Sequence, residues 1–249
     1  MKLSRDELSI IMVGKLSRTS LNKLEYYKSI SHCVISCWDT DDIKILNDYN
    51  MQGVKLVINK NSDVTGIGPG TLHFQTTTAY EAIKKVRTKF VIKTRLDESF
   101  SNLEPLIDML ADNKDKIIFG SPHFARNPSY HGGDHFYACK TKTMRLAFHI
   151  LKKNIVKGIP ENSLFNCPNF IKIDRIEQFL TRALFFCNGE RNFSKEIEKE
   201  VMIRNCEICR VGLLGDLHYT QGGRTVFFRN ETIPDNFEQV ADLKNIRDL

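Results

Sequence analysis

The chain has 249 residues, 41% of them apolar and 27% charged, with a net charge of +6. This is enough apolar material for a sizeable core, and the balance excludes an intrinsically disordered chain. The charge excess suits an anionic partner such as a nucleotide diphosphate or an acidic glycan, but the absence of a basic stripe interleaved with aromatics argues against a nucleic-acid binder.

Met1–Glu7 is charged and carries no apolar stretch of signal length, and no window approaches the roughly 20 apolar residues of a membrane span. These features set the expectation of a cytoplasmic protein with at most peripheral membrane contact. Seven cysteines, an odd number, lie mostly inside apolar runs and read as free thiols. Cys206-x-x-Cys209 lacks a second ligand pair at matched spacing and reads as part of a strand, not as a zinc site.

In chain order, Leu8–Val13 is a short apolar run stopped by Gly14, which predicts a buried strand. Leu21, Leu24, Tyr27 and Ile30 follow at helical spacing. Cys33–Cys37 predicts a second strand, ending at Trp38-Asp39, and Val54–Ile58 a third, ending at Asn59. The glycine-rich run Gly66-Ile-Gly-Pro-Gly70 is not a dinucleotide fingerprint, because its third glycine is misplaced and a proline interrupts it. Thr78 and Glu81 have capping-box spacing, so a helix is expected to open there, with Gln75–Thr78 before its N-terminus as an anion-binding position. Phe90–Thr94 predicts a fourth strand, followed by Arg95-Leu96-Asp97-Glu98. A second capping box, Ser101 to Glu104, introduces another helix, and Ile117–Phe119 another strand.

Residues 121–138 are rich in His, Pro, Gly and aromatics. Beyond them, Met144, Ala147, Phe148 and Leu151 mark one helix, Gln178–Cys187 another, and Thr225–Phe228 a strand; a polar terminal helix is expected over 231–249. Short apolar strands alternating with amphipathic helices predict an α/β fold whose mostly parallel central sheet is flanked by helices. Such sheets bind ligands beyond the carboxyl ends of their strands. Those ends carry Gly14-Lys15, Trp38-Asp39, Asn59 and Arg95-Leu96-Asp97.

A carboxylate just past a central strand, here Asp97, is a hard oxygen donor suited to magnesium or manganese, and it is equally a residue that caps loops. Lys93 and Arg95 offer positive charge for phosphates. Trp38 and Asp39 offer a stacking surface and an acceptor for a nucleotide base or its ribose. Gln75 stands at the expected helix start. Asp134, in His131-Gly-Gly-Asp-His135, and Glu177, at a helix start, are the carboxylates available as general base. Each also fits a plain turn or cap.

Taken in order, Ile10–Gly14, Val34–Trp38, Gln75–Thr78, Phe90–Asp97, Asp134–Phe136 and Ile176–Leu180 resemble the WavE family of lipopolysaccharide-synthesis glycosyltransferases, across roughly residues 8 to 187. The resemblance implies a GT-A-like, Rossmann-type fold in one domain over 1–249, with a nucleotide-sugar-binding half over 1–120 and an acceptor-binding half over 121–249. It implies sugar transfer from a nucleotide-sugar donor to a glycan or lipid-linked glycan of the lipopolysaccharide type. Arg95 occupies the first position of what would be an Asp-x-Asp metal motif. In GT-A enzymes a late His can complete the metal site, which here implies His218 beside Asp97. A non-catalytic nucleotide-sugar or glycan-binding module and a nucleotidyltransferase are the competing expectations.

Overall fold

The computed structural model describes residues 3–60, 72–120, 132, 136–157, 176–193, 197–209, 214, 217–221 and 224–228. Four strands lie close to their predicted bounds: β1 (Leu8–Val13), β2 (His32–Trp38), β3 (Val54–Asn59) and β4 (Phe90–Arg95). After β4 come β5 (Glu98–Phe100), β6 (Ile117–Gly120), β7 (Phe136–Lys140), β8 (Cys206–Cys209), β9 (Leu217–Gln221) and β10 (Arg224–Phe228). The helices are α1 (Arg18–Leu21), α2 (Leu24–Ile30), α3 (Leu72–Ile83), α4 (Glu104–Asp112), α5 (Thr141–Lys157), α6 (Ile176–Cys187) and α7 (Glu198–Asn205).

A seven-stranded sheet runs in the order β3-β2-β1-β4-β7-β6-β8. Its pairings are parallel except those of β7, which is antiparallel to both β4 and β6. The predicted α/β class with a mostly parallel, helix-flanked sheet is therefore present. A smaller antiparallel sheet, β10-β9-β5, branches from the end of β4.

Strand alternation divides the core in two. On β1, Ile11 and Val13 face the side covered by α3, α5 and α6, while Leu8, Ile10 and Met12 face the side of α2 and α4. On β7, Tyr137 and Cys139 join the first layer, and Phe136 and Ala138 the second. Both faces are apolar, and β1 is consequently buried along its whole length. The two cysteines of the C-x-x-C pair lie in β8 and are fully buried. Burial pushes the Cys209 thiol up to about 12.

Two helix starts differ from expectation. α3 begins at Leu72, so Thr78 is an interior residue, not a cap. Its Oγ1 donates to the Phe74 carbonyl at 2.9 Å, a bond within the helix that an N-cap hydroxyl does not make. Glu81, the presumed partner of the capping box, instead accepts from Lys84 at 2.8 Å and Lys152 at 2.5 Å. The glycine-rich run thus stands two residues before a helix, although residues 61–71 lie outside the described part of the chain. α4 likewise has Leu103 at its N-cap, without a side-chain cap, and the Glu104 amide donates to Asn102 Oδ1 at 3.0 Å. The Ser101–Glu104 capping box does not form. β7, in a segment read as irregular, is the strand that joins the two halves of the sheet.

Among the described residues, no helix is long and apolar enough to cross a membrane. The expected terminal helix over 231–249 lies outside the described residues.

Candidate functional site

The carboxyl ends of β1, β2 and β4 open into a cleft of about 470 Å³. Its sheet side is made by Val13, Gly14, Lys15, Lys93 and Arg95, and its helix side by Phe74, Gln75 and Thr78 of α3. Trp38, Thr40, Asp41 and Asp97 complete the lining.

Gly14 ends β1 with φ +117°, a backbone conformation that L side chains rarely adopt, and its amide donates to the Ser36 carbonyl at 3.1 Å. The turn this permits carries Lys15 to the cleft and Leu16 back into the core. Asp41 then ties two strand ends together. One of its oxygens, Oδ2, accepts from the Leu16 amide at 3.0 Å and from the Trp38 amide at 2.9 Å. Trp38 is largely buried and meets Phe74 edge-on, with ring centroids 5.2 Å apart; Phe74 keeps 39% of its surface exposed. The open aromatic ring at the cleft is therefore that of Phe74, braced by Trp38.

Lys93 is 2% exposed yet lines the cleft. It pairs directly across from Tyr137 in the β4–β7 ladder, and its Nζ lies 5.0 Å from the centroid of the Tyr137 ring. Alternation along β4 explains this placement. Val91 faces the apolar layer beneath α3, and Lys93, two residues on, stands at the upper rim of the same face. The aromatic face stabilises the ammonium that burial would otherwise penalise.

Asp97 lies at the turn where the chain leaves the main sheet for the small one. Its neighbour Leu96 is fully buried and its amide donates to the Val13 carbonyl at 3.0 Å, which pins the turn beside β1. Arg95 forms a two-point pair with Asp97, Nε to Oδ1 at 2.9 Å and Nη2 to Oδ2 at 2.7 Å. It also lies 3.2 Å from the fully buried Glu98 carboxylate. About a quarter of each side chain, Arg95 and Asp97, remains exposed. One guanidinium is thus shared between two carboxylates at the cleft edge.

Of the residues singled out from the sequence, Gly14, Trp38, Gln75, Lys93, Arg95 and Asp97 come together here. Gln75 arrives from within α3 and not from a helix start. Asn59 and Asp39 are not among the lining residues. Asn59 is buried, with Nδ2 donating to Ser36 Oγ at 2.9 Å and the Cys37 carbonyl at 2.7 Å, so its amide cross-ties β2 and β3. The Asp39 amide donates to the Asn59 carbonyl at 2.9 Å and its side chain is exposed. Asp41, two positions on, lines the cleft instead, its Oδ2 engaged by the Leu16 and Trp38 amides.

His218 lies on β9, its backbone paired with Ser99, two residues beyond Asp97. Glu177 lies in the first turn of α6, and Asp134 lies outside the described residues. Lys15, expected there from its place after β1, and Thr78, the last residue of the expected anion-binding run, also line the cleft, whereas Thr40, Asp41 and Phe74 belong to it without having been predicted for it. Asp41 lies two positions beyond the predicted Asp39, so its signal was position after a strand. Phe74 had none, because the helix start was misplaced.

Comparison with protein-family models finds no match, and comparison with curated proteins finds none either.

Proposed function

We propose that the chain is a glycosyltransferase of GT-A-like fold that holds a nucleotide-sugar in the cleft and transfers its sugar to a glycan or lipid-linked glycan. The observation that carries this reading is the convergence of Lys15, Lys93 and Arg95 with the aromatic pair Trp38 and Phe74 at the carboxyl ends of three adjacent strands. Cations and an exposed aromatic ring lining one cleft suit a diphosphate joined to a nucleoside. The mostly parallel sheet, with its binding face at a strand end, accommodates the fold the WavE resemblance implies.

In this reading the base rests against Phe74 and Trp38, and Asp41 keeps the two strand ends in register. Lys93 and Arg95 face the diphosphate and oppose the charge that develops on it as the glycosidic bond breaks. Gln75 and Thr78 bound the pocket from α3. The acceptor hydroxyl is deprotonated by Asp134 or Glu177 from the second half, and attack from the opposite side gives inversion.

The donor chemistry at Asp97 fits a magnesium or manganese ion: a hard carboxylate at the cleft edge, beside the place assigned to the diphosphate. Asp97 would hold the ion, with His218 of the neighbouring strand as second ligand. When bound, the ion supplies additional neutralisation of the leaving diphosphate.

The test is turnover of a panel of nucleotide-sugars, with and without manganese, by wild type and Asp97→Asn. The expected result is release of nucleoside diphosphate by wild type and a loss of about 100-fold or more in the variant, the scale of one missing electrostatic group. Full activity in Asp97→Asn refutes the role of that carboxylate. Donor binding without any turnover refutes the enzyme and leaves a binding module. Pyrophosphate release from a nucleoside triphosphate would assign a nucleotidyltransferase.

A further inference from the structure

A second concavity, of about 320 Å³, lies between α3 and α5, and none of its lining residues lines the cleft. Its lining joins Tyr80 and Leu146 with Lys84, Lys142, Arg145 and His149; Arg145 Nη2 donates to the Val86 carbonyl at 2.7 Å, and Tyr80 Oη lies 3.2 Å from His149 Nδ1. Leu146 is 43% exposed, one of few large apolar side chains to be so among the described residues.

The charge around this groove is one-sided. On α5, Lys142, Arg145, Leu146, His149 and Lys153 recur at positions i, i+3, i+4, i+7 and i+11 and are all exposed, so they form one outward stripe. The whole helix contains no acidic residue. Residues 79–89 and 141–153 together hold eight Lys and Arg against one acid, Glu81, whereas the complete chain carries a net +6. The remainder of the chain therefore has no net positive charge, and the basicity of the protein resides in this region. Glu81 accepts from both Lys84 and Lys152. Burial works against its charge, but those two hydrogen bonds hold it below the usual carboxylate range, so it remains anionic and offsets only part of the excess.

The geometry points to docking of this face on an anionic membrane surface. Lys142, Arg145 and Lys153 on the exposed stripe attract lipid headgroups, and each contributes separately. An exposed leucine on the same helical stripe can enter the acyl boundary, which a polyanion without lipid would leave unsatisfied. Opposite this stripe, Met144, Ala147, Phe148 and Leu151 anchor the helix in the core. The surface is distinct from the cleft, so its test does not depend on the proposed enzymatic activity.

The experiment is co-sedimentation of the full chain with vesicles of phosphatidylcholine alone and of phosphatidylcholine mixed with phosphatidylglycerol. Binding is expected only to the anionic vesicles and should weaken as salt is raised. Lys142→Gln with Arg145→Gln should lower the partition coefficient roughly thirty-fold, about fivefold for each cation removed. Leu146→Ser should lower it roughly fivefold at unchanged charge. All three side chains are exposed, and unchanged thermal unfolding of the variants verifies the fold. Equal binding to both vesicle types, or no binding to either, overturns the proposal. So does tight binding of an oligonucleotide that depends on Lys142 and Arg145 while Leu146→Ser changes neither ligand, which would make the face a polyanion surface.

Discussion

At the scale of single residues, the cleft depends on a few side chains whose partners are backbone groups. Asp41 is the clearest case, since one carboxylate oxygen receives two amides from different strand ends. Asp41→Ala is expected to cost about 1–3 kcal/mol of stability, measured by urea denaturation, because both amides lose a charged acceptor. It should also weaken nucleotide binding, since the ends of β1 and β2 lose their tie. Asp41→Asn should retain most of the stability. The buried thiols make a second prediction. Burial raises Cys33 to about 11 and Cys139 to about 12, against about 8.5 for an unfolded thiol. The folded state thus favours the neutral thiol. Their contribution is fully present below about pH 8.5 and is lost as pH rises towards 11–12, where the folded thiols ionise. Between pH 8.5 and 9.5 the stability should fall by about 1 kcal/mol per thiol, and Cys139→Ala should flatten that part of the profile.

Among the elements, β7 has the most consequence and was the least legible. Its residues Phe136–Lys140 are as apolar as those of β1, but the run is short, follows a segment dense in Gly, His and Pro, and leads straight into α5. Its antiparallel sense is a property of the route the chain takes, which side-chain pattern does not encode. The strand is secured by close packing. A Cβ placed on Gly120 of β6 would lie 2.5 Å from the Phe136 ring, which is itself held edge-on by Phe100 at 5.5 Å. Gly120→Ala should therefore destabilise by about 1–3 kcal/mol, seen as a lowered Tm, and Phe136→Leu in the same chain should recover part of it. The misplaced start of α3 has a related cause. A run of β-branched threonines, Thr76–Thr78, is a poor helix indicator, and here Thr78 is accommodated by bonding back to Phe74.

For the whole molecule, the central relation is between a largely buried sheet and one open edge. β1, β2 and β4 deliver their last residues to a common cleft because they are adjacent and parallel. A nucleoside diphosphate bound there should raise Tm by mass action, by about 2.7 kcal/mol of stability at a concentration 100 times Kd. Removal of divalent metal with a chelator should reduce the shift if Asp97 shares an ion with the diphosphate, and an undiminished shift would restrict the charge neutralisation to Lys15, Lys93 and Arg95. The basic face across α3 and α5 should leave this shift unaltered when its charges are removed.

From the sequence alone came the α/β class, the approximate bounds of the first four strands, the two-sided burial, and eight of the cleft residues. These follow from local regularities: apolar runs of strand length, helical spacing, and the tendency of polar residues to gather where a parallel strand ends. Which acid serves the cleft was a tertiary matter. Asp39 and Asp41 are equivalent as sequence, and only the approach of Leu16 and Trp38 distinguishes them. The same holds for Asn59, taken up in bonding β2 to β3, and for Asp97, whose two oxygens are both met by Arg95. Hydrogen-bond partners distant along the chain, together with the order in which strands assemble, decide such roles, and neither is a property of any short stretch of residues.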